Sequence, residues 1–143
     1  MDAFDDVLIN LQCELVAERN RVNPKEISWL HYDILHLLAQ KECLLPSEVS
    51  MLLGISRTKL SKALKKLKLM GYIEQKPSVR DGRELQTVLS TYGHTLLATI
   101  EDGHSQLAAV ACNLFTKEEQ QQFARLASKF ASALRSERVN RHE

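Results

Sequence analysis

A mainly α-helical fold of the α+β kind, with one β-hairpin set among the helices, is predicted from three observations. Apolar residues recur every three or four positions along most of the chain, as in helices that bury one face. Residues 72–89 depart from that pattern and read as two short strands around a turn-rich tip. The third observation is charge. Arg57, Lys59, Lys62, Lys65, Lys66, Lys68, Lys76, Arg80 and Arg83 fall in one short segment, opposed only by Glu74 and Asp81. The whole chain carries a formal charge of +1, so this local excess marks a polyanion-binding face on an otherwise ordinary body.

The first helix spans residues 2–21, with Phe4, Val7, Leu8, Leu11 and Leu15 on one side, and Asn23-Pro24 breaks it. Ser28 caps a second helix that carries Trp29, Tyr32, Ile34, Leu35, Leu37 and Leu38 and runs to about Gln40. Leu44-Leu45 is a short apolar pair before Pro46, which suits the first turn of a brief third helix. Gly54 supplies the left-handed residue past its end. Ser56 caps a fourth helix with Leu60, Ala63, Leu64 and Leu67 inward and Gly71 beyond it. Tyr72 and Ile73 lead to the turn composition Pro77-Ser78-Val79-Arg80-Asp81-Gly82, and Leu85, Thr87, Val88 and Leu89 return as a strand. A long helix from Tyr92 to about Phe115 follows. Thr116 and Glu119 then form a capping box for a last helix, whose apolar face is Phe123, Leu126, Ala127, Phe130, Ala131 and Leu134. Two short helices joined by Gly54-Ile55 form a helix-turn-helix, and the hairpin after them makes it a winged helix.

With 143 residues, 44% of them hydrophobic and 26% charged, the chain is one globular domain with enough length to bury a core. Asp2, Asp5 and Asp6 near the start argue against a signal peptide, and the longest apolar run, Leu107 to Cys112, is far short of a membrane span. Cys13, Cys43 and Cys112 have neither CxxC spacing nor an even count, which suggests no disulfide framework and a reducing, cytoplasmic setting. The pairs His31 and His36, and His94 and His104, lack the i, i+4 spacing that places two imidazoles on one helical face. No metal and no cofactor are therefore expected. Nor is there a Gly-rich phosphate loop, a paired-carboxylate constellation or a nucleophile with a base nearby in sequence, so an enzyme is not expected.

The apolar stripe of the fourth helix fixes what its other side presents. Arg57, Thr58, Ser61, Lys62 and Lys65 occupy the outward arc, with Lys59 and Lys66 on its flanks. Small hydroxyls let a backbone approach a groove floor, while the bases supply salt-sensitive attraction to phosphate. At the hairpin tip Gly82 permits a tight turn. Asp81 holds a neighbouring arginine through charge-assisted hydrogen bonds, so that the arginine can enter a narrow minor groove. The expected DNA-binding set is Ser56, Arg57, Thr58, Lys59, Ser61, Lys62, Lys65, Lys66, Lys76, Arg80, Asp81 and Arg83. The alternative is a winged-helix module whose basic helix docks an acidic protein.

Residues 28–93 resemble the winged-helix core of the MarR family of bacterial transcription regulators. The matching features are Ser28 to Leu38, Pro46 through Leu69, Gly71, and Asp81-Gly82-Arg83 followed by Leu89-Ser90 and Gly93, with Ser90 where the family usually has Thr. The resemblance implies a homodimer in which residues 1–22 and 94–143 form a helical dimerisation region and residues 28–93 the DNA-binding lobe. It implies a repressor on a palindromic double-stranded operator, with Thr58, Lys59, Ser61 and Lys62 reading bases or gripping phosphates. Arg83 would be the minor-groove arginine and Asp81 its brace. Gly82 stands where a second basic residue is common, which Arg80 partly offsets.

Family members respond to small ligands or oxidants. Cys13 lies about half a turn from the apolar stripe of the first helix, counting roughly 100° per residue, and so faces solvent or a partner subunit. Leu8-Ile9-Asn10-Leu11-Gln12-Cys13 is similar to the sensing-cysteine segment of the family's organic-hydroperoxide branch, and Tyr32 matches one of its tyrosines. The connection to the second helix is shorter here, however, and no base adjoins Cys13. Trp29, Tyr32 and His36 are the candidate lining of a small-molecule pocket between the dimerisation region and the DNA-binding lobe.

Overall fold

Each helix start that the sequence marks with a small polar residue is capped in the structure, a computed structural model that describes residues 3–78 and 85–141. The described elements are α1 (Ala3–Val22), α2 (Trp29–Lys41), β1 (Cys43–Leu44), α3 (Pro46–Leu53), α4 (Arg57–Leu69), β2 (Ile73–Pro77), β3 (Leu85–Leu89), α5 (Thr91–Leu114) and α6 (Lys117–Arg141). Ser28 Oγ accepts the His31 amide at 3.3 Å, and Ser56 Oγ accepts the Lys59 amide at 3.1 Å. Thr116 and Glu119 form the reciprocal pair, with each backbone N–H donating to the other's side chain at 2.9 and 3.1 Å. Pro46 opens α3, and Gly54 closes it at φ +68°, a conformation open to glycine at little cost.

Residues 27–100 hold the core. Ile34, Leu35, Leu37 and Leu38 of α2, Val49 of α3, Leu60 and Leu67 of α4, Ile73 and Leu89 of the sheet, and Leu97 and Ile100 of α5 are all buried. Each such side chain contributes on the order of 1.5–3 kcal/mol, so the lobe has its own stabilising centre. By contrast, neither α1 nor α6 has a single buried residue.

The sheet is antiparallel, in the order β1-β3-β2. Ile73 pairs with Leu89 and Pro77 with Leu85 in the predicted hairpin, with Pro77 on an edge strand, where its missing N–H costs no ladder bond. In the sequence Leu44 stands out only as one of an apolar pair before Pro46. In the structure Cys43 pairs with Val88 and Leu44 with Thr87, covering the other side of β3. Two residues are too few to show an alternation, so this strand left no pattern to read.

Candidate nucleic-acid interface

The inward stripe of α4 is as expected: Leu60, Ala63, Leu64 and Leu67 are buried. Helical geometry then sends the remaining residues outward, and Ser56, Arg57, Thr58, Lys59, Ser61, Lys62, Lys65, Lys66 and Lys68 are all exposed. No acidic residue interrupts this surface along α4. Its amino end, with the partial positive charge of the helix terminus, carries Thr58 and Ser61, whose short side chains leave room for close approach.

The turn that aims α4 is closed by its own hydrogen bonds. The Gly54 and Ile55 amides both donate to the Ser50 carbonyl, at 2.9 and 3.1 Å. Ser50 is fully buried, and its hydroxyl donates to the Ile55 carbonyl at 2.5 Å. α4 therefore leaves the turn at one defined angle.

Lys76 is exposed on β2, on the hairpin that follows α4. Arg80, Asp81 and Arg83, at the tip, lie outside the described residues.

His31 links α2 to this surface. The Ser28 amide donates to His31 Nδ1 at 3.0 Å, so the imidazole serves as the acceptor of a capping box that Glu or Gln usually fills. Burial, and then the Lys66 ammonium on α4, hold the His31 pKa below its usual value.

Trp29, Tyr32 and His36 do come together, but packed on one another. The Tyr32 ring stacks on His36 at 5.8 Å and meets His104 at 5.0 Å. Trp29 stands edge-on to Tyr32 at 6.1 Å, with the Arg19 guanidinium 3.8 Å above its own ring centre. Arg19 also pairs with Asp33 at 2.6 Å, and His36 Nδ1 lies 3.7 Å from Glu101. These rings fill the junction of α1, α2 and α5 rather than enclosing a large void. The nearby cleft, lined by Leu15, Arg19, Val22, Gly103, His104 and Leu107, has a volume of only about 40 Å³. Nothing in the sequence marks Arg19 and Glu101, and His104 stands out only as a histidine without a metal-ligating partner, because their role depends on three helices meeting.

Cys13 is exposed on α1. Among the described residues no group of His, Cys, Asp and Glu could hold a metal ion, and no helix is long and apolar enough to cross a membrane.

Comparison with known proteins agrees with this architecture. Residues 25–84 match the model of the MarR family. Among solved structures, a MarR protein from Peptoclostridium difficile superposes with a TM-score of 0.78 at 19% identity, covering 98% of this chain and 93% of that one. FabT of Streptococcus pneumoniae, solved in complex with DNA, gives 0.75 at 18% identity over 93% and 96%. BpsR of Bordetella bronchiseptica, whose DNA binding is regulated by 6-hydroxynicotinic acid, gives 0.73 at 14% over 91% and 99%. At these identities the likeness establishes the fold. No curated protein matches the sequence.

Proposed function

We propose that this chain, whose residues 25–84 match the MarR family model, is a homodimeric transcription regulator of that family. In this reading it binds palindromic double-stranded DNA in the cytoplasm, acting as a repressor released by a small ligand or an oxidant. The observation that carries the proposal is the outward face of α4. A rigid turn and a buried apolar stripe force six bases, Arg57, Lys59, Lys62, Lys65, Lys66 and Lys68, and two small hydroxyls, Thr58 and Ser61, into solvent on one helix with no acid among them. Lys76 extends that surface onto the hairpin, and in this reading Arg80 and Arg83 are further DNA contacts and Asp81 a brace, all three outside the described residues.

The second copy is supported by apolar surface that one copy leaves bare. Phe4, Val7 and Leu11 of α1, Leu107, Val110 and Leu114 of α5, and Phe123, Leu126, Phe130 and Leu134 of α6 are all exposed. Burying these helices across a two-fold axis places two α4 helices on one DNA face, with half-sites centred about 10 base pairs apart. The complex of FabT with DNA and the ligand control of BpsR, on the same fold, support a DNA partner and a small-molecule effector. Trp29, Tyr32 and His36 stand at the junction where an effector would act, and Cys13 is exposed for an oxidant.

The test is a salt-titrated selection from genomic fragments, with recovered fragments sequenced, on reduced and peroxide-treated protein. A shared palindrome whose affinity falls steeply with salt is expected. No enrichment at any salt overturns the reading and favours docking to an acidic protein.

A further inference from the structure

The far end of α6 is tied to the turn of the helix-turn-helix. Arg138 Nε donates to the Leu52 carbonyl at 3.3 Å. Leu52 lies in the last turn of α3, where carbonyls lack an acceptor's partner within the helix. The turn's own amides are already committed to Ser50 and Met51, so Arg138 supplies what the turn itself does not. Its guanidinium also faces the negative end of the α3 dipole. Its aliphatic stem crosses Gly54 closely: a β-carbon built there would lie 3.2 Å from Arg138 Cδ.

Arg19 of α1 pairs instead with Asp33 of α2. The Arg138 bond reaches the element that aims α4. Beside it, an open groove of about 370 Å³ lies between α2 and α6, lined by Asp33, His36, Gln40, Leu53, Arg135 and Arg138. Packing against α2 therefore does not fix the angle of α6 along this side, so its hold on the lobe there runs through α3, where the directional bond from Arg138 acts.

We propose that Arg138 is a positioning residue for DNA binding. It locks the dimerisation helix α6 to the α3–α4 turn, and thereby sets the distance between the two recognition helices of the dimer. This role rests on the DNA-binding reading above. It predicts that Arg138 governs the preference for one half-site spacing rather than the strength of each α4–DNA contact.

The experiment compares wild type, Arg138→Ala and Arg138→Lys as full-length dimers. One readout is hydrogen exchange of residues 50–57 in the free protein. The other is affinity for selected operators whose half-sites are moved together or apart by one base pair. Arg138→Ala is expected to exchange faster across residues 50–57 and to lose about 3- to 30-fold in affinity for the preferred spacing, a coupling of ordinary size. Affinity for the altered spacings should change little, so discrimination collapses. Arg138→Lys, keeping stem and charge, should restore part of both. Unchanged exchange in Arg138→Ala, or an equal loss at every spacing, overturns the proposal. Failure of wild type itself to bind any duplex overturns the regulator reading and this role with it, a result told apart by its appearance before any substitution.

Discussion

Gly93 lies so close to Tyr72 that a β-carbon at position 93 would sit 2.1 Å from the Tyr72 carbonyl oxygen. That oxygen accepts the Ser90 amide at 3.1 Å. Ser90 Oγ donates to the Gly71 carbonyl at 2.6 Å and accepts the Gly93 amide at 3.0 Å. The start of α5 is thus clasped onto the turn between α4 and β2, joining α4, the hairpin and the long helix α5 at one point. The Ser90 hydroxyl makes both of these side-chain bonds.

Gly93→Ala should therefore destabilise the chain by about 3 kcal/mol, the upper end of ordinary overpacking, because the obstacle is backbone. Gly103→Ala is the matched control. Its β-carbon would meet Val22 at 3.2 Å, near the end of α1, which has no buried residue to hold it rigidly. The gain in helix propensity of about 1 kcal/mol should offset that crowding. Urea unfolding of both variants measures the contrast, and equal effects would refute the clasp.

What could be read in the sequence was whatever acts locally. Ser28, Ser56 and Thr116 announce helix starts because a cap needs a hydroxyl at one position and an amide three residues on. The stripe Leu60, Ala63, Leu64 and Leu67 predicted which residues of α4 would be outside, since one helix has only two sides. What stayed hidden depends on elements distant in sequence. Cys43–Leu44 is a strand only because β3 lies beside it. Ser90 was read as a family position and not as the cap of α5. Arg138 and Arg19 carry no local signal, because Leu52 and Trp29, which they meet, lie on other elements.

Stability should fall as pH drops below 6.5, the ordinary value for histidine, because two imidazoles resist protonation when folded. Burial first and Lys66 second lower the His31 pKa. Burial first, then Arg19, lower that of His104, against a smaller opposing effect of Glu101. A depressed pKa means the unfolded chain binds the proton more readily. The stability contribution is thus complete above pH 6.5 and is lost as pH falls through the folded value. Protonating His31 Nδ1 also removes the acceptor for the Ser28 amide. Gln at this position fills the same capping role without titrating, so His31→Gln should flatten the unfolding free energy between pH 7 and pH 5, leaving the share due to His104. An unaltered slope in His31→Gln would show that the capping box is not the sensor.

On the DNA side, Lys62→Ala and Lys65→Ala should weaken binding at low salt and reduce the slope of log affinity against log salt by about 0.9 each, the signature of one lost phosphate contact. Both side chains are exposed, so the unfolding free energy should stay within the range of ordinary surface changes, about 0.5 kcal/mol. Thr58→Ala should act differently, altering which base is preferred while leaving the salt slope intact. A slope unaffected by either lysine would remove α4 from the interface.

The dimer prediction follows from α6 contributing no residue to the core of one copy. Phe123, Leu126, Phe130 and Leu134 are between 41% and 53% exposed, a row of large apolar groups that a lone chain would leave in water. Phe130→Glu should leave the lobe folded, since no buried residue of α6 is lost, and should disfavour self-association by 2 kcal/mol or roughly more, as expected for an aromatic anchor at an interface centre. Sedimentation at micromolar concentration should show the variant as a monomer. Its DNA affinity should drop because each half-site must then be bound separately, without the effective concentration a second linked lobe provides. A dimer that persists in Phe130→Glu would place the self-contact elsewhere, and a variant that unfolds would show that α6 is held to its own chain by more than the tie at Arg138.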